Sequence, residues 1–135
     1  MGFDLERFID AQNAVWDTVV AELKNEQKES HWMWFVFPQI KGISKSLEAE
    51  KYSISTLEEA TAYYDNDILR ERLIEVIQIL LEAERPLFDM FGDPDYYKFI
   101  SCMTLFRQAT DDPLFESVLD FYCLEEDDLT LNLID

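Results

Sequence analysis

The sequence predicts an all-α fold, a single compact orthogonal bundle of about six or seven helices spanning residues 1–135 as one domain. Three observations carry this. Apolar residues recur at spacings of three and four along most of the chain. Helix-start residues, Asp, Thr or Ser, often with proline behind them, punctuate it repeatedly. Only three glycines and four prolines are present, too few for a barrel or sandwich of many tight turns. A hydrophobic share of 48% over 135 residues is enough to bury a core.

Asp4 reads as the first N-cap, with Phe3 and Phe8 as a hydrophobic staple. Leu5, Phe8, Ile9, Trp16, Val19, Val20 and Leu23 then share one face, predicting a helix over 5–28. Gln12 falls within that stripe and reads as a tolerated polar side chain at the core edge. Next comes Ser30-His31-Trp32-Met33-Trp34-Phe35-Val36-Phe37-Pro38-Gln39, apolar all round and thus expected to be buried. Periodicity leaves it open as a buried strand or a short helix ended by Pro38. In either form Trp34 is expected to be a core ring whose deletion costs about 3–5 kcal/mol. After a polar loop, Ser46 caps a short helix through Lys51. Thr56-Leu57-Glu58-Glu59 fits a capping box and opens a helix to about Tyr64. Asp67 caps a helix carrying Leu69, Leu73, Val76, Ile77 and Leu80 that ends near Arg85-Pro86. A turn over 87–91 closes on Gly92. Asp93-Pro94 and Asp112-Pro113 each open a further helix, to Ala109 and Tyr122. A short apolar tail, Leu129 to Ile134, ends the chain.

Charge excludes more than it assigns. Eleven Lys and Arg face 29 Asp and Glu, a formal net charge of −18, which argues against a nucleic-acid backbone or an anionic membrane surface as partner. No basic residue follows Arg107, whereas Lys24, Lys28, Lys41, Lys45 and Lys51 surround the aromatic run, the one part of the chain that is not negative. One histidine and two separated cysteines make a zinc site untenable, so neither a metal nor another cofactor is expected. Cys102 and Cys123 read as core thiols, slow to react. The N-terminus is not a signal peptide and no stretch is long enough to span a membrane, so the cytoplasm is the expected compartment.

Candidate chemistry sits in two places. His31, the lone side chain titrating near neutrality, is a candidate catalytic base or ligand contact, or else a rim residue beside tryptophans. Trp32 and Trp34 could stack on a planar ligand or simply fill the core; Gln39 adds an amide. At about 100° per residue, Tyr97, Ser101, Thr104 and Gln108 form an uncharged polar stripe. It is a candidate pocket wall, or a row of hydroxyls bonded to their own helix. Lys41, Lys45 and Arg107 would bring positive charge to the site.

The segments Asp4-Leu5-Glu6-Arg7-Phe8, the run from Ser30 to Gln39, and Ser101-Cys102-Met103-Thr104-Leu105-Phe106 resemble the family catalogued as domain of unknown function 1810. The likeness runs from Asp4 to about Leu131. It implies a small, all-helical, mostly bacterial cytoplasmic protein and a helical form for the central run. It brings no catalytic residues to transfer. The label calpastatin carried by some members implies no protease inhibition here. The chain departs from the family pattern in the acidity that follows Arg107.

Two functions fit. One is a pocket that binds, and in one version transforms, a small polar or anionic metabolite such as a nucleotide derivative. The other is an interaction module whose acidic C-terminal face docks a basic protein.

Overall fold

Apolar stripes at helical spacing need partners, and the computed structural model, which describes residues 3–134, shows how they find them. Nine helices are present among the described residues: α1 (Glu6–Lys24), α2 (Met33–Val36), α3 (Leu47–Lys51), α4 (Leu57–Asp65), α5 (Asp67–Leu81), α6 (Leu87–Phe91), α7 (Asp95–Ala109), α8 (Leu114–Phe121) and α9 (Asp128–Ile134). The expected count of six or seven is low because α2, α6 and α9, of four, five and seven residues, are too short to show a clear period. Helix α7 packs against α4, α6, α8 and α9, while α1 packs against α2 and α5. One cluster of buried side chains runs through them all, with Phe8, Trp32, Phe37, Tyr63, Phe99, Phe106 and Phe115 fully inside. Its rings meet largely edge to face, as for Phe37 with Phe99 at 5.1 Å and Phe8 with Tyr63 at 5.1 Å.

The central run is helical for a single turn, and its two tryptophans part company. Trp32 is fully buried. Its indole N–H donates to Oε1 of Glu22 at 2.9 Å. Trp34, two residues on, is only partly buried and faces a surface hollow. The uniform burial expected of this run is therefore corrected at Trp34 and at His31, which is exposed. Gln12, expected at the core edge, is buried at its centre. Its amide donates to the Phe35 carbonyl (2.7 Å) and the Tyr63 hydroxyl (3.1 Å), and accepts from Arg72 (3.2 Å). One amide thus joins α1, α2, α4 and α5.

Glu22 is the second polar group inside. It accepts from the backbone N–H groups of Glu29 (2.8 Å) and Ser30 (3.0 Å), from the Ser30 hydroxyl (2.5 Å), and from Trp32. Burial pushes its carboxyl upward, but the bonds from Ser30, Glu29 and Trp32 outweigh burial and hold it at about 2.

Caps explain most boundary differences. Ser46 and Thr56 cap as expected, accepting from Ala49 and Glu59 N–H at 3.1 Å each. Glu59 reaches back to Ser55 N–H (2.7 Å) and pairs with Arg7 (3.0 Å). Asn66, not Asp67, caps α5, because its side chain accepts from Ile68 and Leu69. Asp4 caps nothing: α1 starts behind Leu5 without a side-chain cap, and Phe3 is exposed. Helix α1 stops at Lys24 rather than near residue 28, because Glu26 turns to φ 56° and its carboxylate binds the N–H groups of Glu84 and Arg85. Asp93 does not cap α7, whose N-cap is Pro94. Asp112 does serve α8, accepting from Leu114 N–H at 2.9 Å.

Two outcomes follow for stability. Trp32→Ala should cost about 3–5 kcal/mol in urea unfolding, and Trp34→Ala about 1 kcal/mol, since only the first leaves a sealed void and takes one of four donors from the Glu22 carboxylate. Equal losses would place both rings alike and contradict the structure.

A carboxyl held low in the folded state stabilises it above the unfolded value and loses that contribution as pH falls. Glu22 should therefore make stability decline from about pH 4.5, its ordinary value, down to about 2. In Glu22→Gln this part of the acid limb should flatten, as read from urea midpoints across that range. An unchanged limb would show that Glu22 is not among the groups responsible.

Candidate functional site

Two surface hollows adjoin where the central run meets the start of α7. The larger, of about 480 Å³, lies between Trp34 and Gln39 on one side and Tyr97, Lys98 and Ser101 on the other. Ile43, Ser44 and Ser46 close one end; Asp127 and Leu129 close another. The second, of about 370 Å³, is bordered by His31, Met33, Lys28, Glu29, Asp93 and Asp95. Trp34, Pro94 and Lys98 border both, so the two form one cleft.

Local structure sets each wall. Trp34 rides on the single turn α2, anchored from behind by Gln12 at the Phe35 carbonyl and by Trp32 at Glu22. Gln39 and the loop after it are held by an isolated parallel bridge between Ile40 and Ile54, with Ile54 N–H to Gln39 O and Lys41 N–H to Ile54 O both 2.8 Å. Helix α7 turns Phe99, Cys102, Met103 and Phe106 into the core, which leaves Tyr97, Lys98 and Ser101 to the cleft. Asp127 arrives from the link between α8 and α9 and is tied to α7 by its N–H, which donates to Thr104 Oγ1 at 2.9 Å.

The candidates named from sequence divide accordingly. Trp34, Gln39 and Ser101 line the larger hollow. His31 lines the smaller one, its ring 6.4 Å from that of Trp34 and inclined by 33°. Trp32 is sealed in the core. Thr104 is fully buried, donating to Ile100 O (2.8 Å) while accepting from Asp127, so its hydroxyl serves the fold. Lys41 and Lys45 are exposed and border neither hollow; the residues between them do so instead. Arg107 is bonded to Glu126 and lies 3.6 Å from Glu116, at a separate concavity with Gln108 and Asp112. The positive charge expected from these three comes instead from Lys98. Its ammonium stands 5.1 Å from the Trp34 ring centroid and 3.8 Å from Asp95.

Lys98 and Asp127 escaped the sequence argument. Lys98 is three residues before Ser101, at the edge of the stripe already singled out, and a charge there was passed over. Asp127 lay within the acidic stretch after Arg107, which was considered only as a face for a basic protein. The Asp127-to-Thr130 spacing of a capped helix was its signal: Oδ2 accepts from Thr130 N–H (3.1 Å) and hydroxyl (2.5 Å).

Folding also changes the local charge. Lys28 and Lys98 now stand with Glu29, Asp93, Asp95 and Asp127, and Lys28 is 2.7 Å from Asp95. The cleft is mixed in sign rather than basic. Among the described residues, no cluster of His, Cys, Asp and Glu could hold a metal ion, and no helix is long and apolar enough to cross a membrane. Cys102 is buried and its thiol pushed well up by burial. Cys123 is exposed, which corrects the expectation of two core thiols.

Fold and site together define an all-helical protein with an aromatic, mixed-charge cleft. The chain belongs to the family described as "Protein of unknown function (DUF1810)", whose model matches residues 2–134. It is similar to a solved structure, the conserved hypothetical protein Rv1873 from Mycobacterium tuberculosis. Identity is 44% and the TM-score 0.94, over 98% of this chain and 96% of that one. No curated protein matches the chain.

Thr104→Val keeps the volume but leaves the Asp127 N–H without its acceptor, so it should destabilise by about 1–3 kcal/mol. Amide exchange across 127–134 should accelerate, because that bond ties the α9 segment to α7. Unchanged exchange there would show the tie to be idle.

Proposed function

We propose that the joined hollows bind a small, planar, polar metabolite in the cytoplasm, a nucleotide derivative being the representative case. The observation that supports this most is the shared wall. Trp34 is a large ring left partly open at a hollow while the equally apolar Trp32 beside it is sealed. An indole carried on a turn anchored by neighbouring hydrogen bonds presents a stacking face at little entropic cost. Around it stand neutral hydrogen-bonding groups, Gln39, Ser44 and Ser101, suited to fix a ring's orientation. In the adjoining hollow His31 and Lys98 offer donors to an anionic substituent. Binding is the core of the proposal; any reaction would rest on His31.

The alternative, an acidic face docking a basic protein, has less to draw on. Asp112 accepts from Tyr64 and Leu114, Glu126 binds Arg107 and Gln108, and Asp127 caps α9. Three acids of the tail are thus committed inside the fold.

Nucleosides and nucleoside monophosphates at millimolar concentration should shift amide resonances of 34–44 and 94–101. Trp34→Ala should weaken binding at least about tenfold, the scale of one lost stacking contact. His31→Ala should weaken the monophosphates more than the nucleosides. Shifts confined to the Arg107 face, or affinity untouched in Trp34→Ala, would refute the cleft as the site.

A further inference from the structure

We infer that Asp127 is the specificity-determining residue of this cleft, selecting a ligand whose planar ring carries an exocyclic amine. This rests on the cleft being the binding site and adds the class of ligand it takes.

The two oxygens of this carboxylate are used unequally. Oδ2 is saturated, accepting from Thr130 N–H, the Thr130 hydroxyl and, at 3.1 Å, the Ser101 hydroxyl. Oδ1 has no hydrogen-bonding partner among the described residues. Yet no buried side-chain nitrogen or oxygen among them lacks a partner, so Oδ1 must reach solvent, and Asp127 borders the larger hollow. The chain position is locked as well, by the bond from Asp127 N–H to Thr104. A carboxylate oxygen held this firmly, with its lone pairs unspent, is an acceptor alone. It rewards a donor and repels a carbonyl set in the same place.

The surroundings narrow the class. Trp34, Tyr97, Ile43 and Leu129 give the same hollow broad apolar walls, which suit a ring rather than a flexible polyol. Gln39 can donate or accept, so it orients the ring without choosing between an amino and a keto group, while the Ser101 proton is spent inside the fold, between the Tyr97 carbonyl and Asp127. Only Asp127 makes that distinction. Lys98, the other charged group here, faces Trp34 and Asp95 and is placed for an anionic substituent.

The test uses pairs that exchange an exocyclic amine for a carbonyl, and with it the adjoining ring nitrogen from acceptor to N–H donor: adenosine with inosine, and cytidine with uridine, titrated into the full chain by saturation-transfer NMR. Wild type should favour the amino member of at least one pair by about tenfold or more, as expected where a charged acceptor is satisfied rather than opposed. Asp127→Asn retains a capping side chain for α9 and should fold, and its amide can donate as well as accept. In that variant the preference should vanish or reverse. Trp34→Ala should weaken both members of a pair equally, leaving their ratio unchanged. If wild type binds both members of each pair alike, and Trp34→Ala weakens both, the cleft stands and the assignment to Asp127 is overturned. A preference that survives in Asp127→Asn overturns it too. If no member of either pair binds, both the site and the assignment fall.

Discussion

One carboxylate decides which aromatic ring goes inside. Glu22, near the end of α1, gathers two backbone N–H groups, a hydroxyl and an indole N–H within eleven residues of chain. Those four donors fix the reversal from α1 into the central run. With Trp32 tied inward, the single turn that follows must carry Trp34 outward, and His31 on the other flank stays in solvent. Lys28 reinforces the reversal by donating to Ser30 O at 2.6 Å, pairing with Asp95 and covering the Trp32 ring at 4.9 Å. A buried acid with so many donors gives little net stability over an apolar substitute, but it permits only one arrangement of its neighbours.

Helix α7 answers the same logic from the opposite wall. Its inward residues from Phe99 to Phe106 sit in the centre of the core, so its rotation about its own axis is set by burial alone. Tyr97, Lys98 and Ser101 reach the cleft because they are what remains on the other side. Thr104, one turn further along that stripe, is covered where the segment before α9 crosses it. The polar stripe is thus half site and half seam, divided where Asp127 lies across the helix.

Much of this was legible in the chain. The long helices, the Ser46 and Thr56 caps and the closing role of Gly92 follow from local rules that act over a few residues. Two walls of the larger hollow were legible too, since a run apolar all round and an uncharged stripe are both rare in so acidic a protein. What was hidden depends on pairing at a distance. No spacing distinguishes Trp32 from Trp34, because the difference is a hydrogen bond to a residue ten positions earlier. Gln12 looked like an edge residue because its partners Phe35, Tyr63 and Arg72 lie 23, 51 and 60 residues away. Lys41, Lys45 and Arg107 were credited to the site on charge alone, and charge carries no direction. Asp127 was discounted as one acid among many.

Asp127 bears on how so acidic a chain would hold the polar ligand proposed for it. The net charge of −18 is a property of the whole surface, but at physiological salt its field decays over about 8 Å. A ligand in the cleft responds to the groups that line it: Lys28 and Lys98 against Glu29, Asp93, Asp95 and Asp127, with Lys28 and Asp95 neutralising each other at 2.7 Å. The charges are also separated in space, Asp127 in the larger hollow and Glu29, Asp93 and the Lys28–Asp95 pair in the smaller, Lys98 standing at the boundary. Such an arrangement discriminates by the order of groups along a ligand rather than by its total charge. A donor at the ring end of a molecule meets Asp127, and an acceptor set near the boundary meets Lys98. Reversing the two would set an acceptor against the Asp127 carboxylate and a donor against the Lys98 ammonium.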